Sequence, residues 1–121
     1  TVCGPPTLIP PHMEKLKVKV SYQIREAIQG ADVVMMLRIQ SERQNDKQIP
    51  SNNEYFRFFG LHQESIRGLK KGAIIMHPGP INRGVEISAE VADGKHSVIL
   101  NQVTNGVAVR MGVLSVLKGG L

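Results

Sequence analysis

Two short apolar runs, Val33-Val34-Met35-Met36-Leu37 and Ala73-Ile74-Ile75-Met76, constrain the fold of this chain more than any other feature. Neither run alternates with polar residues. Runs of this length and composition are expected of strands buried on both faces, as in a parallel sheet covered by helices. A β-branched stretch at 18–20 precedes the first run, and the residues between read as a helix. Ser21 is its N-cap candidate, residues 23–29 its body and Gly30 its end. Strand, helix and strand at this spacing predict a partial doubly wound parallel sheet, Rossmann-like, of the α/β class.

The remaining elements follow from the same patterns. After the Pro10-Pro11 break, residues 13–16 suggest a short helix. Residues 41–59 begin polar and end in Tyr55, Phe56, Phe58 and Phe59, which reads as a long loop with an aromatic anchor. Residues 61–69 predict a short helix with one apolar stripe. Residues 103–117 predict a C-terminal helix, interrupted early by Asn105-Gly106. In doubly wound sheets ligands bind beyond the carboxyl ends of the strands. Two polar segments fall there: Arg38-Ile39-Gln40-Ser41-Glu42-Arg43 after the first run, and His77-Pro78-Gly79-Pro80 after the second.

With 121 residues the chain has the size of one domain. Its net charge of +5 could suit small anions or nucleic acid, but the basic residues are scattered and aromatics are only 4%, so no nucleic-acid surface is expected. A single cysteine, Cys3, rules out an internal disulfide and points to a reducing compartment; it is expected to pack in a strand. No run approaches the roughly 20 apolar residues of a membrane span, and no signal peptide is visible, so a cytoplasmic location with no membrane partner is expected. The opening Thr1-Val2-Cys3-Gly4-Pro5-Pro6 reads like a strand end entering a loop, as if the chain were part of a longer polypeptide.

Arg38 is the sharpest candidate for chemistry. A guanidinium at a strand end can hold a carboxylate through two parallel hydrogen bonds, which lysine cannot do. Glu42 could hold Arg38 in place by a salt bridge. The plain alternative is a surface Arg38–Glu42 ion pair worth less than about 1 kcal/mol. In the second segment, prolines fix the backbone and remove N–H donors, leaving immobile carbonyls suited to an amino group. A cis bond at Gly79-Pro80 is a related expectation. His77, before a proline at a strand end, is read as structural rather than as a general base. His12, His62 and His96 lack metal-ligand spacing, and no metal site is expected. No glycine-rich phosphate loop of the nucleotide-binding kinds occurs.

Together, Leu37-Arg38-Ile39-Gln40-Ser41-Glu42-Arg43 and His77-Pro78-Gly79-Pro80-Ile81-Asn82-Arg83-Gly84 resemble the aspartate carbamoyltransferase family. The resemblance covers the C-terminal part of that family's catalytic chain, so residues 1–121 correspond to the C-terminal part of the L-aspartate-binding domain, with the carbamoyl-phosphate domain absent. It implies transfer of a carbamoyl group from carbamoyl phosphate to L-aspartate, a step of pyrimidine synthesis, without a cofactor. Arg38 and Gln40 would bind L-aspartate, and Pro78, Gly79 and Pro80 the carbamoyl group. Arg83 and Glu86 would brace the loops or a neighbouring subunit, and Arg43 would bridge domains. The family further implies a homotrimer of the full chain, with a regulatory subunit or dihydroorotase as possible companions.

Other family features are missing. The Ser-Thr-Arg-Thr phosphate motif, the lysine-bearing loop given by a neighbouring subunit, and the upstream arginine and histidine do not occur. The chain alone is therefore expected to be an inactive aspartate-side half-site. Ornithine carbamoyltransferase is less similar: its His-Cys-Leu-Pro turn is His77-Pro78-Gly79-Pro80 here, and its Ser-Met-Gly segment does not occur. A noncatalytic carbamoyltransferase-like binding or assembly module is the alternative from another class.

Overall fold

The computed structural model describes residues 1–40 and 51–119. Among the described residues four strands are present: β1 (Val2–Cys3), β2 (Val20–Ser21), β3 (Val33–Met35) and β4 (Ile74–Met76). The helices are α1 (Ile24–Ile28), α2 (Asn52–Phe59), α3 (Ala89–Ala92) and α4 (Ile99–Leu117), with single 3-10 turns at Met13–Leu16 and Ser65–Gly68. β1 pairs with β2 and β3 with β4, both parallel, which bears out a parallel α/β arrangement. β4 is paired on its other side too: Ile75 N–H donates to His96 O at 2.7 Å, and Val98 N–H to Ile75 O at 2.9 Å. That saturation lets Ile75 be fully buried, since no backbone polar group is left bare there.

The core gathers Ile28, Val34, Met36, Leu61, Ile75, Ile87, Val91, Ala92 and Ile99. β3 departs from the expectation of two buried faces. Val34 and Met36 are buried, but Val33, Met35 and Leu37 are exposed, because side chains alternate across a strand and only one face is covered by the described residues. Helix boundaries moved for local reasons. Ser21 ends β2, and its hydroxyl accepts from Gln23 N–H at 3.2 Å, so α1 starts later, with Gln23 as N-cap. Gly30 takes φ +71° just past that helix, as anticipated.

The expected aromatic loop contains a helix instead. Ser51 Oγ accepts from Glu54 N–H at 3.1 Å and caps α2. Serine followed three residues later by glutamate is the sequence signature of such a start. The helix stops at Gly60, where a Cβ would lie 2.5 Å from the Phe56 carbonyl oxygen. Residues 61–69 are not one helix either. Leu61 N–H donates to Glu86 O and Leu61 O accepts from Ser88 N–H, both at 2.9 Å, so its backbone is committed to a bridge. Only Ser65–Gly68 turns, as a 3-10 segment. At the far end, α4 begins at Ile99 and runs unbroken through Asn105-Gly106. One interior glycine costs about 1 kcal/mol relative to alanine, which a helix this long absorbs.

Leu61 is fully buried and touches the core from a segment without regular structure. Leu61→Ala is expected to lower unfolding stability by about 2–5 kcal/mol, seen as a lower denaturant midpoint at unchanged slope. Tyr55 lies buried in α2, and its phenol is pushed up to about 12, first by burial and then by the charges of Glu86 and Cys3. An unfolded tyrosine titrates near 10. Below that pH the phenol is neutral in both states and the stabilisation is whole. Between about 10 and 12 only the unfolded chain loses its proton, so stability falls across that window by on the order of 2–3 kcal/mol. Denaturant melts at pH 9 to 12 should show this loss in the wild type and not in Tyr55→Phe.

Candidate functional site

The parallel register decides where the two polar segments meet. Met35 stands opposite Met76, so Arg38 and Gly79 both lie three residues beyond a paired position, at one edge of the sheet. Met36 N–H continues the pairing to Met76 O at 2.9 Å. Beyond it, the Asn82 side-chain amide donates to Ile39 O at 3.0 Å and ties the second segment to the first. Ile39 is buried, while Arg38 and Gln40 on either side of it are half-buried. The two strand ends therefore converge as the sequence suggested. Glu42 and Arg43 lie outside the described residues.

The His77-Pro78-Gly79-Pro80 turn is an acceptor surface. Pro78 and Pro80 have no N–H. His77 N–H donates to Gln102 Oε1 at 2.8 Å, and Gly79 N–H donates to His77 Nδ1 at 2.9 Å. Every backbone donor of the turn is thus absent or occupied. Among the described residues the carbonyl oxygens of Pro78, Gly79 and Pro80 accept no hydrogen bond. The Gly79-Pro80 bond is cis, as expected for this turn, and Gly79 has φ +68°. A Cβ at Gly79 would meet Val103 Cγ2 of α4 at an ordinary packing distance of 3.4 Å, so it is the backbone conformation that favours glycine there.

His77 and Glu86 are fully buried, with His77 Nε2 and Glu86 Oε1 3.2 Å apart. The Asn82 backbone N–H reaches the same carboxylate oxygen at 2.6 Å. Glu86 thus reaches both His77 and the Asn82 backbone from the buried side. The His77 ring is sealed from solvent and both of its nitrogens are engaged. Arg83 points elsewhere. It is exposed and makes two parallel bonds to Asp93, at 2.7 and 2.9 Å, bracing the end of α3. That contact raises the guanidinium's pKa and lowers the carboxyl's, through the hydrogen bond first in each case.

Cys3 is half-buried in β1, and burial pushes its thiol up, which suits packing rather than nucleophilic attack. Gln102 had no role in the sequence reading, because α4 was expected to begin one residue after it. Its carboxamide supports the turn through His77 N–H and approaches Met35 Sδ at 3.6 Å, so one side chain touches both strand ends. The signal was available in the spacing: Ile99, Gln102 and Val103 share one helical face.

Residues 10–117 match the family described as aspartate/ornithine carbamoyltransferase, Asp/Orn binding domain. The aspartate carbamoyltransferase catalytic subunit of Syntrophus aciditrophicus is 58% identical over 119 residues, covering 98% of this chain and 39% of that protein. The corresponding subunit of Geobacter sulfurreducens is 55% identical over 120 residues, again 98% of this chain and 39% of the relative. The chain thus spans about two-fifths of the length of the curated relatives it matches. Among solved structures, the anabolic ornithine carbamoyltransferase of Campylobacter jejuni superposes with a TM-score of 0.72 at 26% identity, over 91% of this chain and 39% of that one. The Pyrococcus furiosus ornithine carbamoyltransferase gives a TM-score of 0.72 at 25% identity, over 84% of this chain and 32% of the other. With converging parallel strand ends, an acceptor-only proline turn and a family match across nearly its whole length, the chain belongs to the aspartate/ornithine carbamoyltransferase family, in its amino-acid-binding domain.

Proposed function

We propose that this chain supplies the aspartate side of a site that transfers a carbamoyl group from carbamoyl phosphate to L-aspartate. The observation that carries the reading is the turn that offers carbonyl oxygens and no N–H donors, set beside an arginine at a neighbouring strand end. A carbamoyl group presents an NH2 to be received, and carbonyls of Pro78 and Gly79, with Pro80 behind them, are matched to it. An L-aspartate carboxylate is matched to the Arg38 guanidinium, and Gln40 adds an amide contact. Glu42 and Arg43, outside the described residues, are assigned supporting roles in the same reading.

The chemistry asked of these residues is positioning. The aspartate amine attacks the carbamoyl carbon, a tetrahedral intermediate forms, and its collapse releases phosphate and N-carbamoyl-L-aspartate, with no cofactor required. Arg38 and the turn hold nucleophile and electrophile in line. The turn is unsuited to phosphate, which needs donors, so phosphate and oxyanion stabilisation are assigned to the rest of the polypeptide. A homotrimeric assembly of the full protein, association with a regulatory subunit or dihydroorotase, and a cytoplasmic location belong to the same reading; no helix among the described residues is long and apolar enough to cross a membrane.

One observation favours the second reading, a noncatalytic assembly module. α4 exposes Leu100, Val107, Met111 and Leu114, an apolar surface suited to packing against protein. Carbamoyl transfer by the full-length protein decides between the two. In that protein Arg38→Ala is expected to raise the KM for aspartate about 10- to 100-fold while the KM for carbamoyl phosphate stays unchanged. An unchanged aspartate KM would reject the role given to Arg38. Gly79→Ala should do the reverse, raising the KM for carbamoyl phosphate, because a side chain at φ +68° strains the turn.

A further inference from the structure

The contacts around His77 and Asn82 form one continuous chain of hydrogen bonds, from which we infer that Glu86 is the positioning residue that sets the two sides of the site against each other. Gly79 N–H donates to His77 Nδ1, which must therefore be unprotonated. The ring proton then sits on Nε2 and donates to Glu86 Oε1. The same oxygen accepts the Asn82 backbone N–H, and the Asn82 side chain donates to Ile39 O. Ile39 is the residue between Arg38 and Gln40. One carboxylate oxygen thus links the backbone of the turn to the backbone of the arginine segment. His77 is a spacer with a fixed tautomer: moving its proton to Nδ1 would bring two N–H groups face to face at Gly79.

A packing role alone does not account for an acid here. Both side chains are fully buried, and Glu86 Oε2 has no hydrogen-bond partner among the described residues. A buried carboxylate with one bare oxygen carries a desolvation cost that filling the space does not by itself require. What the carboxylate adds is a strong acceptor that takes two donors on one atom, fixing the His77 ring against the Asn82 backbone. The inference rests on the reading of the turn as the carbamoyl side and Arg38 as the aspartate side. It adds that the two substrates' affinities share one structural determinant.

The test uses the full-length protein. Glu86→Ala is expected to raise the KM for both substrates by about tenfold, and Glu86→Gln, which keeps an acceptor oxygen, to stay within about threefold of wild type. Asn82→Ala cuts only the last link, so it should raise the KM for aspartate about tenfold and spare that for carbamoyl phosphate. A Glu86→Ala enzyme of lower melting temperature but unchanged KM values would make Glu86 a packing residue and overturn the inference. A wild-type aspartate KM in Asn82→Ala would overturn it as well. Amide hydrogen exchange reads the linkage without turnover and covers the case in which Glu86→Ala does not fold. The Gly79 and Asn82 amides should exchange slowly in wild type and Glu86→Gln, and fast exchange in the wild type contradicts the linkage. Absence of carbamoyl transfer by the wild type would sink the functional reading alone, with exchange still deciding the linkage.

Discussion

The buried contact between His77 and Glu86 is the constraint on which the rest of the site depends. Each side chain has no exposure to water, so the partners of their polar atoms lie inside the protein. His77 satisfies this with Gly79 N–H on one nitrogen and Glu86 on the other. Glu86 is bonded through one oxygen, shared by His77 and Asn82, while its other oxygen has no hydrogen-bond partner among the described residues. Removing any one member would strand a buried donor or acceptor, which costs more than the lost bond is worth. Such a network tolerates one arrangement of the 77–86 backbone and excludes neighbouring ones.

That arrangement matters because of where the sheet puts it. Parallel pairing of β3 and β4 sends both strand ends to the same edge, with Arg38 and Gly79 each three residues past the Met35–Met76 pair. A shift of one residue would exchange the faces of β3, placing Val33 and Met35 where Val34 and Met36 are now. β4 is held from both sides by backbone bonds, to β3 and to residues 96–98, and α4 begins directly after the latter. Gln102 and Val103 are thereby delivered against the turn, the first bonding to His77 N–H, the second beside Gly79. The turn is therefore shaped by three elements: the strand that leads into it, the helix behind it and the Glu86 segment beneath it.

Much of the architecture was legible in composition and spacing alone. The apolar runs at 33–37 and 73–76 are strands at their cores, Gly30 closes α1, and proline at 78 and 80 announced a rigid turn. The misreadings share a physical cause, which is that propensity is weak and partners decide. Four aromatics near 55–59 suggested a loop anchor, yet Ser51 and Glu54 supply the cap that lets them form α2. Leu61 belongs to an apolar pattern that looks helical, yet its N–H and C=O pair with residues 86 and 88. Asn105-Gly106 looked like a break, yet nineteen residues of helix run through it. Val33, Met35 and Leu37 read as buried because the run is apolar throughout, but exposure depends on what covers each face.

The sequence by itself determined the class of fold, the two polar strand ends and the chemistry they can offer: a fixed cation in Arg38, and a turn poor in donors because proline lacks the N–H. These are properties of residue types and their order along the chain, so they need no partner to be read. Tertiary structure alone decided that the last donors of the turn are occupied, by Gln102 from α4 and by the ring of His77. It also decided that Glu86 faces inward, whereas Arg83 faces outward to Asp93. Hydrogen bonds between residues far apart in sequence depend on register, burial and direction together, and only the folded backbone sets all three.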